Sequence, residues 1–351
     1  MVGIEPASLT AVFCRNAADR TAETWKEELG PFSRLEFAVS DAAKGIAAAV
    51  EQVAADRHGE AEPKPALEHG LDVFPTAREA QRVLARHWRQ AEAAWDEAEA
   101  ADARVARARP QGVDARGPAG SARTAWRKAT AALERVEHLE GAWRRAQAAL
   151  EVFRPDGRLN DRATAEAEIT AALPGLPGAD WAKVRNFLRD RRSLAFLDRM
   201  HRRLESAEPR REGREAMAWR WWLRHRRPTA SDPRMASVQA VGRERPLTEA
   251  EQASYDHVAA VLEDTVRASS AVECLNRVLR MQPSRHRRMT QPMLDRKRLY
   301  WNCRPFRSGP RKDVCPYQAL GLDLPTFDFW ELLQTEPGRL TQPLSTQGNA
   351  G

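Results

Sequence analysis

The chain has 351 residues, 42% of them hydrophobic and 30% charged, with a formal net charge of +7. That length allows about two or three domains with real cores, and the excess of positive charge favours an anionic partner, nucleic acid first. No apolar run of about eighteen residues is present to span a membrane, and the opening "MVGIEPASLT" lacks the basic and apolar regions of a signal peptide. Cys14, Cys274, Cys303 and Cys315 form no CxxC pair, so they read as reduced thiols of a cytoplasmic protein. A site built from Cys274, His286, Cys303 and Cys315 fits no standard zinc spacing.

In chain order, "MVGIEPASLTAVF" and "LEFAVSD" are apolar runs of strand length. In the second, Leu35, Phe37 and Val39 alternate and Ala38 keeps the other face small, which predicts a largely buried strand. "DAAKGIAAAVEQVAADR" then reads as a helix and "ALEHGLDVF" as another strand, an order that predicts a crossover and a parallel pair. From Thr76 the texture changes. Thr76 and Glu79 have capping-box spacing. Two Ala-, Glu- and Arg-rich arms of about 33 residues, roughly 50 Å each if helical, flank the breaker "PQGVDARGPAG". The expected arrangement is an antiparallel helical hairpin with a thin, Ala-rich seam that suits close packing and association with a second copy. Residues 154 to 248 hold shorter helices, and Thr248 with Glu251 marks a further helix start. "WRWWLRHRRP", from Trp219, mixes tryptophans with cations. Trp219 and Trp222 share a helix face that suits a core, which leaves Trp221 as a candidate contact for bases.

Glu273, in "ASSAVECLNRVLRM", has two readings. Ser270 and Glu273 have capping-box spacing. Alternatively, Glu273, Asn276, Arg277 and Arg280 fall on one helix face beside the apolar Val272, Leu275 and Leu279. There a carboxylate next to an amide and two guanidinium groups suits a metal and an anionic substrate. Asp41, at the end of "LEFAVSD", is either the cap of the next helix or a group projecting from the carboxyl end of a strand, where ligands of open α/β sheets gather. Asp72 and His69, near the next strand end, have weaker support.

The stretch "ASSAVECLNRVLRM" with "LDRKRLYWNCRPFRSGPRKDVCPYQALGLDLP" resembles the C-terminal part of insertion-sequence transposases of the DDE class. The resemblance is carried by Ser269 to Asn276, by Tyr300 to Asn302, by the Gly/Arg stretch Arg307 to Lys312, and by Pro316 to Gly321. "LEFAVSDAAKGI" and "GLDVFPTAREAQ" resemble the family's segments around its second Asp, so the likeness covers about residues 1 to 80 and 265 to 330. It implies a ribonuclease-H-like fold, an Asp-Asp-Glu triad holding two Mg²⁺ ions, and phosphodiester transfer on DNA. Carried over, Asp41 and Glu273 are the catalytic metal ligands. The interval from Asp41 to Glu273, 273 minus 41 or 232 residues, is too long for a compact core and implies a helical insertion. The family's first Asp has no counterpart. Asp19 reads as loop or helix, and Glu5, followed by Pro6, is a poor substitute. The resemblance therefore implies an inactive or truncated copy with an incomplete ligand set.

From Arg277 to Lys312 there are twelve basic residues and one acidic one, Asp295. This bias makes Asn276, Arg277, Arg280, Arg285, Arg287, Arg288, Arg296, Lys297, Arg298, Arg304, Arg307, Arg311 and Lys312 the candidate DNA contacts. The expected fold class is mostly helical α+β or α/β. An incomplete ribonuclease-H-like core would comprise 1–75 and 264–333, split by an α-helical insertion at 76–263 and followed by a disordered tail at 334–351. Expected partners are DNA and a second copy of the chain, with no membrane. Two competing readings are a non-catalytic DNA-binding protein that keeps the fold, and a helical dimerisation or scaffold protein whose carboxylates only cap helices.

Overall fold

The computed structural model describes residues 1–58, 65–108, 116–225, 246–267, 272, 274–276, 278, 290–309 and 311–335. It is mostly helical, with a few short strands. The chain divides into two compact units, one made of residues 1–69 and 266–351, the other of residues 70–265.

The first unit opens with an antiparallel hairpin, β1 (Val2–Glu5) and β2 (Thr10–Cys14), with a bulge between Gly3 and Ile4. The first apolar run is thus two strands rather than one. Pro6 has no amide to give to a ladder, and the Glu5 carboxylate draws the chain round by accepting from the amides of Ala7 (2.7 Å) and Ser8 (2.6 Å). Leu9 closes the turn at φ 62°, a region that costs a side-chain-bearing residue about 1 kcal/mol or more.

Helix α1 (Ala22–Leu29), β3 (Phe37–Ser40), α2 (Lys44–His58) and β4 (Glu68–Leu71) follow. Thr21 caps α1 by accepting from the Thr24 amide. Strands β3 and β4 form a second two-stranded sheet. Under it, Leu29, Ile46, Val50, Val53 and Leu67 are buried together, with Trp25, Leu35 and Ala38 against them. Gly45 allows α2 to approach the loop between β2 and α1, since a Cβ there would lie 2.1 Å from the Arg20 carbonyl oxygen. Buried Arg57 closes the far end of α2, donating to the carbonyls of Leu35 (2.6 Å), Phe32 (2.7 Å) and Pro65 (3.1 Å). The apolar Phe37, Ala38 and Val39 are half-buried rather than buried, because their sheet has only two described strands.

The second unit is helical. Helices α3 (Val73–Ala108) and α4 (Arg116–Ala149) form the expected hairpin. α3 starts earlier than the Thr76–Glu79 spacing predicts. Asp72 accepts from the Phe74 amide at 2.9 Å, and Pro75 fits a first helical turn. Thr76 is instead buried inside the helix, and Glu79 pairs with Arg82 at 2.7 Å. The facing positions are small: Ala98, Ala101 and Val105 lie against Ala122, Ala125 and Ala129. Spacings of three and four residues keep this seam turned toward the partner arm. Near it, Trp95 and Trp126 meet edge to face at 4.9 Å, and the Trp126 indole donates to Asp102 at 2.6 Å.

Five shorter helices complete this unit: α5 (Arg162–Ala172), α6 (Ala182–Arg189), α7 (Ala195–Ala207), α8 (Arg211–His225) and α9 (Glu249–Glu263). α9 begins with the expected capping box between Thr248 and Glu251. The turn before α5 needs Gly157, at φ 83°, because a Cβ there would meet the Trp219 ring at 2.1 Å. The first unit then resumes with α10 (Gln291–Cys303), α11 (Pro316–Ala319) and α12 (Phe329–Gln334). Of the tail expected to be disordered, residues 336–351 lie outside the described residues.

Ala98 is fully buried in the hairpin seam. Ala98→Leu therefore overpacks it and is expected to cost about 1–3 kcal/mol, read as a lower midpoint in urea denaturation.

Candidate nucleic-acid interface

Helix α10 carries the densest described group of candidate contacts, and its orientation is fixed by an unusual set of bonds. Five of its side chains approach from the β2 side. Asn302, 1% exposed, accepts from the Ala11 amide at 2.8 Å and donates to the Ala11 carbonyl at 3.1 Å. Its carboxamide thus offers one donor and one acceptor, as a neighbouring strand residue would. Trp301 donates to the Leu9 carbonyl (2.9 Å), Arg298 to that of Val12 (3.1 Å), and Gln291 to that of Cys14 (2.9 Å) while accepting from the Asn16 amide (2.9 Å). Leu294 adds apolar contact, buried in a cluster with Ala11, Cys14 and Leu275. Residues 291, 294, 298 and 301 recur at helical spacing, so one face of α10 is committed to the hairpin.

The same periodicity turns Arg296 and Tyr300 to the opposite side, with Lys297 on the flank, and Arg304 follows as the extended C-cap of the helix. Arg296 and Tyr300 are exposed, Lys297 and Arg304 half-buried. Arg298, a candidate DNA contact by sequence, has its guanidinium on the Val12 carbonyl. Further along, Arg307 and Lys312 are exposed and Arg311 is half-buried. Lys312 lies 3.8 Å from Asp313. Asn276 is half-buried in a short helical stretch next to Leu275, which is fully buried. Glu273, Arg277, Arg280, Arg285, Arg287, Arg288 and His286 lie outside the described residues.

The acidic candidates are engaged to different extents. Asp41 is exposed just past β3, with one carboxylate oxygen accepting from the Ala43 amide at 3.3 Å. Beside it, Ser40 and His69 hydrogen bond at 2.7 Å, which ties the ends of β3 and β4 together. Asp72 is buried and caps α3. Glu5 is used in the hairpin turn. Asp19 accepts from the Thr24 hydroxyl (2.5 Å) and from the Thr21 amide (3.1 Å), which holds its carboxyl below the ordinary value. Among the described residues, no group of three or more His, Cys, Asp or Glu is placed to hold a metal ion.

One expectation in the remaining sequence changes, and the four cysteines are free, as expected. Trp221 is not a free platform for bases: Phe153 (5.7 Å) and His225 (4.2 Å) are both stacked on it. Cys14, Cys303 and Cys315 are buried and only Cys274 is exposed. Burial pushes the Cys303 thiol up to about 11, with Cys315 and Asp328 adding to it. The anchoring role of Gln291 was missed in the sequence, although its spacing to Leu294, Arg298 and Trp301 carries the signal. The rings of Phe329 and Trp330, close to Tyr300, were missed as well. No family model, curated protein or solved structure matches the chain.

Two outcomes follow from this geometry. Asn302→Ala leaves the Ala11 amide and carbonyl buried without a partner and is expected to cost about 2–4 kcal/mol by chemical denaturation. In thiol labelling of the native protein near pH 8, Cys274 is expected to react first. Cys303 should remain unlabelled until the chain unfolds, because it is buried and its thiolate forms only near pH 11.

Proposed function

We propose that this chain is a transposase-like DNA-binding protein, with a ribonuclease-H-like unit interrupted by a helical insertion. One observation supports the reading most. The two sequence regions that resemble DDE transposases, about 1 to 80 and 265 to 330, are far apart in the chain, yet most of each falls in the same compact unit. They are bonded there through the Asn of the Y-x-N motif, Asn302, and the hairpin residue Ala11. The order of hairpin, helix, strand, helix, strand in residues 2–71 is also consistent with such a fold.

The interface works by charge and rigidity. Side chains on one face of α10 satisfy the β2 backbone, so the helix has one orientation relative to the hairpin. The cations on its other face, and those at 304 to 312, are then held in fixed relative positions, which suits neutralising successive phosphates. Such contacts orient a duplex without reading its sequence.

The described carboxylates do not fit a two-ion centre. Asp41 is a single exposed ligand, while Glu5, Asp19 and Asp72 are occupied in turns and caps. No cleavage step is assigned to these residues, and DNA binding without self-sufficient strand cleavage is the function proposed.

The test is a gel-shift titration of duplex DNA at several salt concentrations. With about six phosphate contacts, log K falls against log salt with a slope near −5. Affinity then drops roughly a thousandfold between about 50 and 200 mM salt. Replacing Arg307, Arg311 and Lys312 together by Ala is expected to flatten the slope by up to about three units and to weaken all sequences alike. An affinity that does not depend on salt would sink the reading. Nicking of supercoiled plasmid with Mg²⁺ or Mn²⁺, abolished by Asp41→Ala, would show instead that the chain is a complete nuclease.

A further inference from the structure

The first unit carries an exposed aromatic patch that the phosphate-binding reading does not use. Tyr300, on the outward face of α10, is 44% exposed, and Trp330, on α12, is 66% exposed. Both rings pack edge to face on Phe329, Tyr300 at 5.4 Å and 89°, Trp330 at 5.0 Å and 69°. So large an indole left in solvent forgoes apolar burial, and here two such rings are fixed by a shared third.

Their surroundings select the partner. Arg296 and Lys297 precede Tyr300 by four and three residues on α10, one helical turn away, and Arg304 follows the helix as its extended C-cap. The carboxylates near the patch are turned to local work. Asp328 accepts from the amides of Trp330 (2.8 Å) and Glu331 (3.0 Å), and Glu331 accepts from the Thr326 hydroxyl (2.7 Å). Fixed aromatic faces interleaved with guanidinium and ammonium groups suit unpaired bases and their phosphates. Stacked bases inside a duplex do not present faces to such rings, whereas single-stranded DNA does.

We propose that Trp330 and Tyr300 form a stacking platform for single-stranded DNA, with Arg296, Lys297 and Arg304 holding its backbone. This rests on the DNA-binding reading of the same unit and goes beyond it, by adding aromatic faces for an unpaired strand to the same cationic surface. The platform gives the protein a way to engage a frayed or displaced DNA end.

The experiment compares fluorescence anisotropy of a labelled oligodeoxythymidine and a labelled duplex, using the full chain and its Trp330→Ala, Tyr300→Ala and Trp330→Phe variants. Trp330→Ala and Tyr300→Ala are expected each to weaken oligodeoxythymidine binding about tenfold and to leave duplex binding unchanged. Trp330→Phe keeps a ring and recovers most of the loss. Trp330 is largely exposed, so an unchanged melting temperature verifies that the fold survives. Equal losses on both probes, or no loss on the single strand, overturn the proposal. So does a chain that self-associates in sedimentation velocity and becomes monomeric as Trp330→Ala with its single-strand affinity intact, which would assign the patch to a second copy. Duplex binding with the expected salt slope but no single-strand effect removes the platform alone. Absence of binding to either probe removes the DNA-binding reading as well.

Discussion

A strand edge exposes a row of amides and carbonyls that something must satisfy, and the edge of β2 is satisfied by a helix. Asn302 takes both backbone groups of Ala11. Gln291, Arg298 and Trp301 take the carbonyls of Cys14, Val12 and Leu9. Backbone groups left buried and unpaired cost more than ordinary bonds gain, so this match joins residues about 290 positions apart in sequence. It makes one unit of two chain segments that lie on either side of the whole helical region. It also decides which way every cation on α10 points.

The helical unit at 70–265 is organised on a different principle. The α3–α4 hairpin uses Ala at most facing positions, so the arms approach closely and little apolar area is buried per residue. The shortfall is made up at the base by larger groups, Leu139, Trp143 and the fully buried Trp181. Trp219 stacks on Trp222 of the same helix at 4.9 Å, and only glycine fits at position 157 against the Trp219 ring. A Trp- and Arg-rich segment that reads as a nucleic-acid contact is thereby accounted for as packing, with Arg224 over the Tyr255 ring at 4.6 Å. Charge in this unit is spent on local pairs such as Arg162 with Asp198 (2.6 Å) and Arg145 with Glu168 (2.5 Å). Such pairs add little stability where solvent reaches them.

Several elements were legible in the sequence because their signals are local. The capping box at Thr248 and Glu251 depends on four residues and was found in place. The Thr76–Glu79 spacing was identical in kind yet misleading, since Asp72 and Pro75 offered an earlier start. The difference was not visible in either motif. It came from where β4 ends. Likewise, alternation in "LEFAVSD" correctly gave a strand but overstated its burial, which depends on how many strands lie beside it rather than on its own composition.

The sequence by itself determined the helical majority, the hairpin and its close seam, the change of texture near residue 75, and the concentration of cations between Arg277 and Lys312. These follow from periodicity, propensity and charge, which act over a few residues. Only the tertiary structure decided that the Arg298 guanidinium goes to the Val12 carbonyl, that Trp221 stacks with Phe153 and His225 while Trp330 is exposed, and that Asn302 serves a strand edge. Each of these is a choice of neighbour from a distant part of the chain, made by satisfying buried backbone groups and filling space, and no spacing within one segment encodes it.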